Sequence, residues 1–465
     1  MTSRRERDYV RQFQSMNSAS EWDGRRRVKQ YILTHGNLLT MRDRTIKYDT
    51  DILIRDGKIQ KIGRNLTAFA AQEAAEPANG LNGEADAWRC EADALNGETK
   101  ILDISGRYVI PGLIDSHCHY DADYMGKMFL ACGVTSVRNM RGYKRHAEYA
   151  AETLAGKRTG PYIYSSGPIY DGEDPSIPDN SNEIIRTEAD VEQAIEYTIR
   201  NGFLWLKTYP SIEPELYRYL LKRARQQGLP VCGHMSKKLD DKVLADAGYY
   251  CCEHSSSLPS HKADIRYLAE AGMWFTPTQA VCETLPDYVW NGKMLPELEH
   301  FKDLPECERE SWENRNRKII ESYRSQGVRP DIRVVIGRGR TFLEYSDRFM
   351  AGTDCAYPGI IPGFSMADEL EKLVELYGCT AFEALKAATV NPAAHIGLEE
   401  KKGSIREGMD ADFVVLDGNP LADIGNVRKV GMVFQGTNLY DEETIRAYGS
   451  EAGFLKKEEI EFIHW

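Results

Sequence analysis

Residues 109–119 read Val-Ile-Pro-Gly-Leu-Ile-Asp-Ser-His-Cys-His, an apolar run that passes through Pro111-Gly112 and ends on two histidines. A short apolar run bounded by turn residues is the pattern of a strand buried on both faces. Side chains two apart on a strand share a face, so His117 and His119 point the same way. At the C-terminal end of a barrel strand that face opens onto the active-site mouth, where paired imidazoles can grip a metal ion. On its own the pair fits packed core histidines equally well.

Working outward, seven more strand-like runs follow, separated by amphipathic stretches: 134–139, 161–167, 203–209, 230–235, 249–254, 273–278 and 349–354. Eight such runs within about 280 residues match the scale of a closed parallel (β/α)8 barrel of the TIM type. The spacing is regular except before the last run, where residues 280–345 are long, aromatic and charged. This predicts a mostly helical insertion over the barrel mouth, with Tyr288, Trp290 and Trp312 as pocket or packing aromatics. Beyond the last run, residues 380–398 (TAFEALKAATVNPAAHIGL) have helical spacing, and Asn391-Pro392 is expected to end the first segment.

Both flanks of the barrel are β-patterned. YILTHGNLLT (31–40), TDILIRDGKIQKIG (50–63) and KILDISGRYVIPG (100–112) precede it, with Asp56-Gly57 as a hairpin signal. GSIREGMDADFVVLDGNP (403–420) and KVGMVFQGTNLY (429–440) follow it. The simplest architecture joins residues 29–111 and 392–440 into one small β-sandwich beside a barrel of residues 112–391. Residues 65–100 read as an acidic, partly disordered insertion, 1–28 as a charged extension and 441–465 as a tail.

The remaining histidines raise the odds of a metal site. His234 ends the fifth run, His254 the sixth and Asp354 the eighth, so four histidines and an aspartate sit at C-terminal strand ends. These are nitrogen and oxygen donors suited to zinc or a similar divalent ion. Lys207 on the fourth run shares a face with Trp205 and Tyr209. An ammonium offers no lone pair, so a plain lysine there would be structural. As a carbamate formed with CO2 it becomes a carboxylate able to bridge two cations.

VIPGLIDSHCH (109–119) and GSIREGMDADFVVLDGNP (403–420) resemble the signatures of the amidohydrolase superfamily, from about residue 29 to 440. GVTSVRN, WLKTYP, WFTPT and AGTD are similar to the imidazolonepropionase-like and prolidase-like group, which includes ochratoxinase-type amidases. The resemblance implies that His117, His119 and Asp354 hold the more buried of two divalent ions, zinc by preference, and that His234 and His254 hold the other. Carboxylated Lys207 and a hydroxide would bridge them, and Asp354 would carry the proton to the leaving nitrogen. Arg138, Arg141 and Tyr209 are expected near the mouth as substrate-binding residues. Two features depart from the group: Asn139 stands where relatives often have Asp, and GPIYDGEDP (167–175) lacks a histidine many relatives carry.

The expected activity is amide hydrolysis of a dipeptide, N-acyl amino acid or related small amide. Ester, lactone or phosphotriester cleavage would use the same site. Deaminases on this fold commonly carry a Glu three residues after the fifth-strand histidine, where this chain has Lys237. A non-catalytic scaffold would usually lack some ligands, and none is missing here.

Bulk properties narrow the partners. The 465 residues carry 59 basic and 71 acidic side chains, a net charge of −12 that disfavours nucleic acid. No apolar stretch reaches the roughly 20 residues that cross a bilayer. A cytoplasmic location, reduced cysteines, a small-molecule substrate and a homo-oligomer are the expectations.

Overall fold

A computed structural model describes residues 30–75, 99–174, 181–327 and 331–463. The expected 1–28 extension, and residues 76–98 of the expected 65–100 insertion, lie outside the described residues.

Seven parallel strands form the barrel wall in chain order: Leu113–Cys118, Val134–Asn139, Tyr162–Asp171, Trp205–Thr208, Val231–Gly233, Cys251–Glu253 and Trp274–Thr276. Their residues are almost all buried, because helices cover the outer face and side chains fill the interior. The eighth run, 349–354, does not form a regular strand. It touches its neighbours through single bridges, Phe275 to Phe349 and Cys118 to Cys355. Backbone bonds from Met350 N to Phe275 O (2.8 Å), Ser116 N to Ala351 O (2.9 Å) and Asp354 N to His117 O (2.7 Å) nevertheless close the barrel. Closure needs Gly352: a Cβ there would lie 2.7 Å from both the backbone nitrogen and the Cβ of His117. The glycine beside Asp354 thus serves close approach of the last segment to the histidine strand.

The second sheet is built from both ends of the chain. Its path runs Asn438–Tyr440, Val430–Gln435, Asp412–Leu416, Tyr108–Pro111, Gln30–Leu39, Ile46–Arg55 and Lys58–Gly63, with Thr99–Asp103 also on Gln30–Leu39. The Asp56-Gly57 hairpin is present, both residues having positive φ (52° and 70°) as a tight two-residue turn requires. Leu66–Ala75, expected as part of a disordered stretch, is a helix whose Leu66 packs on Ile32 and Leu53. Lys402, buried under the Tyr162 ring at 3.9 Å, pairs with Asp412 of this sheet.

The segment before the closing strand is helical, as expected, with helices Gln279–Leu285, Glu306–Gln326 and Ile332–Tyr345. Trp312 is fully buried beside Phe301, so it packs the insertion itself. Farther on, the helix break falls at Ala388-Thr389 and not at Asn391-Pro392, which lie in the first turn of Val390–His395. Proline is tolerated there because a first-turn N–H has no intrahelical acceptor. The tail forms helix Glu442–Ser450 and returns to the loop after the first barrel strand, where Phe462 bridges Ala122. No helix among the described residues is long and apolar enough to cross a membrane, and every described cysteine is free.

Candidate metal centre

The strand ends converge. Ligand atoms of His117, His254 and Asp354 all lie within 4.8 Å of one another. His119 joins through Asp354, with Nε2 3.2 Å from Oδ1, the same oxygen that lies 3.4 Å from His117 Nε2. His234 stacks obliquely on His254 at 4.4 Å between ring centroids, and His254 lies 4.7 Å from His117. His254 (φ 70°) and Asp354 (φ 63°) both adopt left-handed backbone. Such strain costs about 1–3 kcal/mol per residue and persists where surrounding structure enforces it. Here it turns both side chains toward the mouth.

Three of the four imidazoles are fixed by a contact on the other nitrogen. His117 Nδ1 lies 2.8 Å from Glu253 Oε2, His254 Nδ1 lies 2.7 Å from Thr278 Oγ1, and His234 Nδ1 lies 3.1 Å from Ser257 Oγ. Burial, and next the charge of Lys207, lower His117 to about 3. Burial lowers His254 to about 4 and holds His234 well below the ordinary value. The rings are therefore neutral near pH 7, the form that binds a cation. Burial alone would raise Asp354, but the imidazoles of His117, His254 and His119 outweigh it and keep the carboxyl ionised.

Lys207 is 1% exposed, and its Nζ has no hydrogen-bond partner. Burial lowers its pKa, opposed by the charges of Glu253 and Asp354. Buried lone polar atoms are costly and rare. Here Lys207 Nζ and His117 Nε2 are both such atoms, close enough for the charge of Lys207 to act on His117. That combination fits a divalent cation with a modified lysine and fits a closed protein core poorly.

The three proposed substrate contacts separate. Tyr209 sits edge-on to His234 at 4.7 Å between centroids, at the mouth. Arg141 is partly exposed, ion-paired with Asp121 at 3.3 Å, and close enough to act on His119. Arg138 is not at the mouth. Its side chain is 0% exposed inside the barrel, bonded to Glu253 Oε1 (2.8 Å) and Ser116 O (2.9 Å) and lying over Trp205. A guanidinium enclosed in this way has no route to substrate.

Two acids escaped the reading of the sequence. Glu253, just before His254, carries the Arg138–His117 contact. Its signal was an acid inside the otherwise apolar run YYCCEH. Asp115 accepts from Thr353 N, Thr353 Oγ1 and His117 N, locking the first strand to the last. Burial raises its carboxyl to about 7.

Comparison with known proteins places this architecture. The profile of the amidohydrolase family matches residues 108–437. The ochratoxinase of Aspergillus niger is 26% identical over 418 residues, covering 74% of this chain and 78% of that protein. Among solved structures, a bottromycin amidohydrolase superposes with a TM-score of 0.68 at 18% identity, covering 97% of both chains. A Xaa-Pro dipeptidase with bound methionine in its active site gives 0.64 at 18% identity, covering 89% of this chain and 100% of that one. At these identities the two structures speak for the fold alone.

Proposed function

Because this chain belongs to the amidohydrolase family and is a hydrolase of C–N bonds, we propose that it cleaves a small amide, such as a dipeptide or N-acyl amino acid, with two divalent ions. The observation that carries this reading is the pair of unpartnered buried atoms, Lys207 Nζ and His117 Nε2, grouped with His119, His234, His254 and Asp354 at one barrel mouth. His117, His119 and Asp354 would hold one ion and His234 and His254 the other. Nitrogen-rich donors with one carboxylate suit zinc.

Lys207 would serve both ions as a carbamate. Burial lowers its pKa and so favours the neutral amine that carbamate formation would use. That nitrogen adds to the carbon of CO2, an N–C bond forms, and a proton leaves to solvent. Bound divalent ions lower the pKa of a water and polarise a scissile carbonyl. Asp354, ionised and 15% exposed at the mouth, takes the proton of the attacking water and delivers it to the leaving nitrogen. Arg141 and Tyr209 would contact a substrate carboxylate or carbonyl from the rim.

A panel of dipeptides and N-acyl amino acids, assayed on zinc-loaded protein with and without chelator, tests this proposal. Turnover of at least one amide, abolished by chelation and restored by zinc, is expected. Hydrolysis confined to esters or lactones, or unaffected by chelation, would reject it.

A further inference from the structure

Glu253 sits between a guanidinium and an imidazole, one carboxyl oxygen on each. Oε1 lies 2.8 Å from Arg138 Nη1, and Oε2 lies 2.8 Å from His117 Nδ1. All three side chains are 0% exposed. Arg138 also donates to Ser116 O at 2.9 Å, so it grips the backbone beside the histidine it serves through Glu253. A guanidinium keeps its charge in a protein interior, and a dry buried cation requires an anionic partner. Glu253 is that partner, and an ionised carboxylate only accepts hydrogen bonds. The proton in the Glu253–His117 contact therefore belongs to the imidazole.

We propose that Arg138 and Glu253 are a positioning pair that fixes His117 as the Nδ1–H tautomer, leaving the Nε2 lone pair aimed at the ligand cluster. His117 Nε2 is the atom the geometry leaves over: it is buried, has no hydrogen-bond partner, and lies 3.4 Å from Asp354 Oδ1. Without the pair, no carboxylate holds the proton on Nδ1, and the Nε2–H tautomer would point a proton at the cation. The proposal rests on the reading of His117 as a metal ligand and adds what prepares it. Outer partners of this kind typically govern affinity by about 10- to 100-fold.

The test uses full-length protein labelled with 15N in histidine, stripped of metal, with the tautomer of His117 read from its long-range 1H–15N correlations. His117→Asn supplies the assignment. Wild type is expected to show His117 as Nδ1–H. Glu253→Gln keeps the shape but can donate as well as accept, and is expected to show mixed tautomers. Its zinc affinity, measured by competition with a chromophoric chelator, should fall by about 10- to 100-fold. An Nε2–H tautomer in wild type overturns the proposal, as does a folded Glu253→Gln with wild-type tautomer or affinity. If Glu253→Gln does not fold, the wild-type tautomer alone decides. Failure of the metal reading looks different: wild type would then bind no divalent ion, while the tautomer of the metal-free protein still judges the pair.

Discussion

Lys207 and Lys402 are both buried lysines, 1% and 6% exposed, and their surroundings are opposite. Lys402 pairs with Asp412 beneath the Tyr162 ring, where the sheet built from both chain ends meets the barrel. Burial works against its charge, but Asp412 outweighs it and the pKa is raised. Lys207 has no partner for Nζ, stands among histidines at the barrel mouth, and has its pKa lowered by burial. A lysine that holds a fold together is charged and paired. One buried without a hydrogen-bond partner has its charge disfavoured, which is what the proposed carbamate would draw on, because the neutral amine is the form that adds to CO2.

Exchanging the two roles by mutation gives the largest effects. Lys207→Ala is expected to lower turnover by more than about 10⁴-fold, beyond the loss of a single proton-transfer group, and to reduce zinc content while the protein stays folded. Lys402→Met should do the reverse. It leaves Asp412 buried without its counter-charge, a loss of about 3–5 kcal/mol in folding stability, while zinc content and turnover of the folded fraction stay near wild type. Urea unfolding beside zinc analysis and kcat reads both. Equal damage to stability and activity in both variants would erase the distinction drawn here.

Asp354→Asn sharpens the mouth side of the comparison by separating holding an ion from moving a proton. An amide can still contribute an oxygen but cannot take a proton, so kcat should drop by about 10²- to 10⁴-fold with much of the zinc retained. Near-normal turnover with zinc bound would remove Asp354 from proton transfer.

A smaller effect distinguishes the two regions by pH. In the metal-free protein, His117 (about 3) and His254 (about 4) titrate below the ordinary histidine value of 6.5, burial being the first cause. Their contribution to stability is fully present above pH 6.5 and is lost as pH falls through 4 toward 3. Lys402 keeps its charge throughout that window and contributes no slope there. The Tm of metal-free protein should therefore fall between pH 6.5 and 4, and a His117→Asn/His254→Asn variant should fall less steeply. A Tm independent of pH in that range would contradict neutral, buried rings.

Much of this contrast was legible in the sequence because it lies in local pattern. Strand period and turn residues located the seven barrel strands and the closing run, and the donors His117, His119, His234, His254 and Asp354 lie at the ends of four of these. What escaped was set by the closed barrel. The eighth run looks like its fellows, but its close approach to His117 at Gly352 replaces regular pairing with bridges. Arg138 was expected at the mouth because its strand ends there. Its depth is decided by Glu253, 115 residues away on another strand. A charge pair between the second and sixth strands leaves no periodic trace in either.

The most direct measurement of the central claim is elemental analysis of wild-type protein purified without chelator, taken beside Lys207→Ala. The account predicts about two divalent ions per wild-type chain, the number a paired site holds, and a clear deficit in the variant. A reproducible wild-type value near zero, or a variant that keeps the full complement, would contradict it.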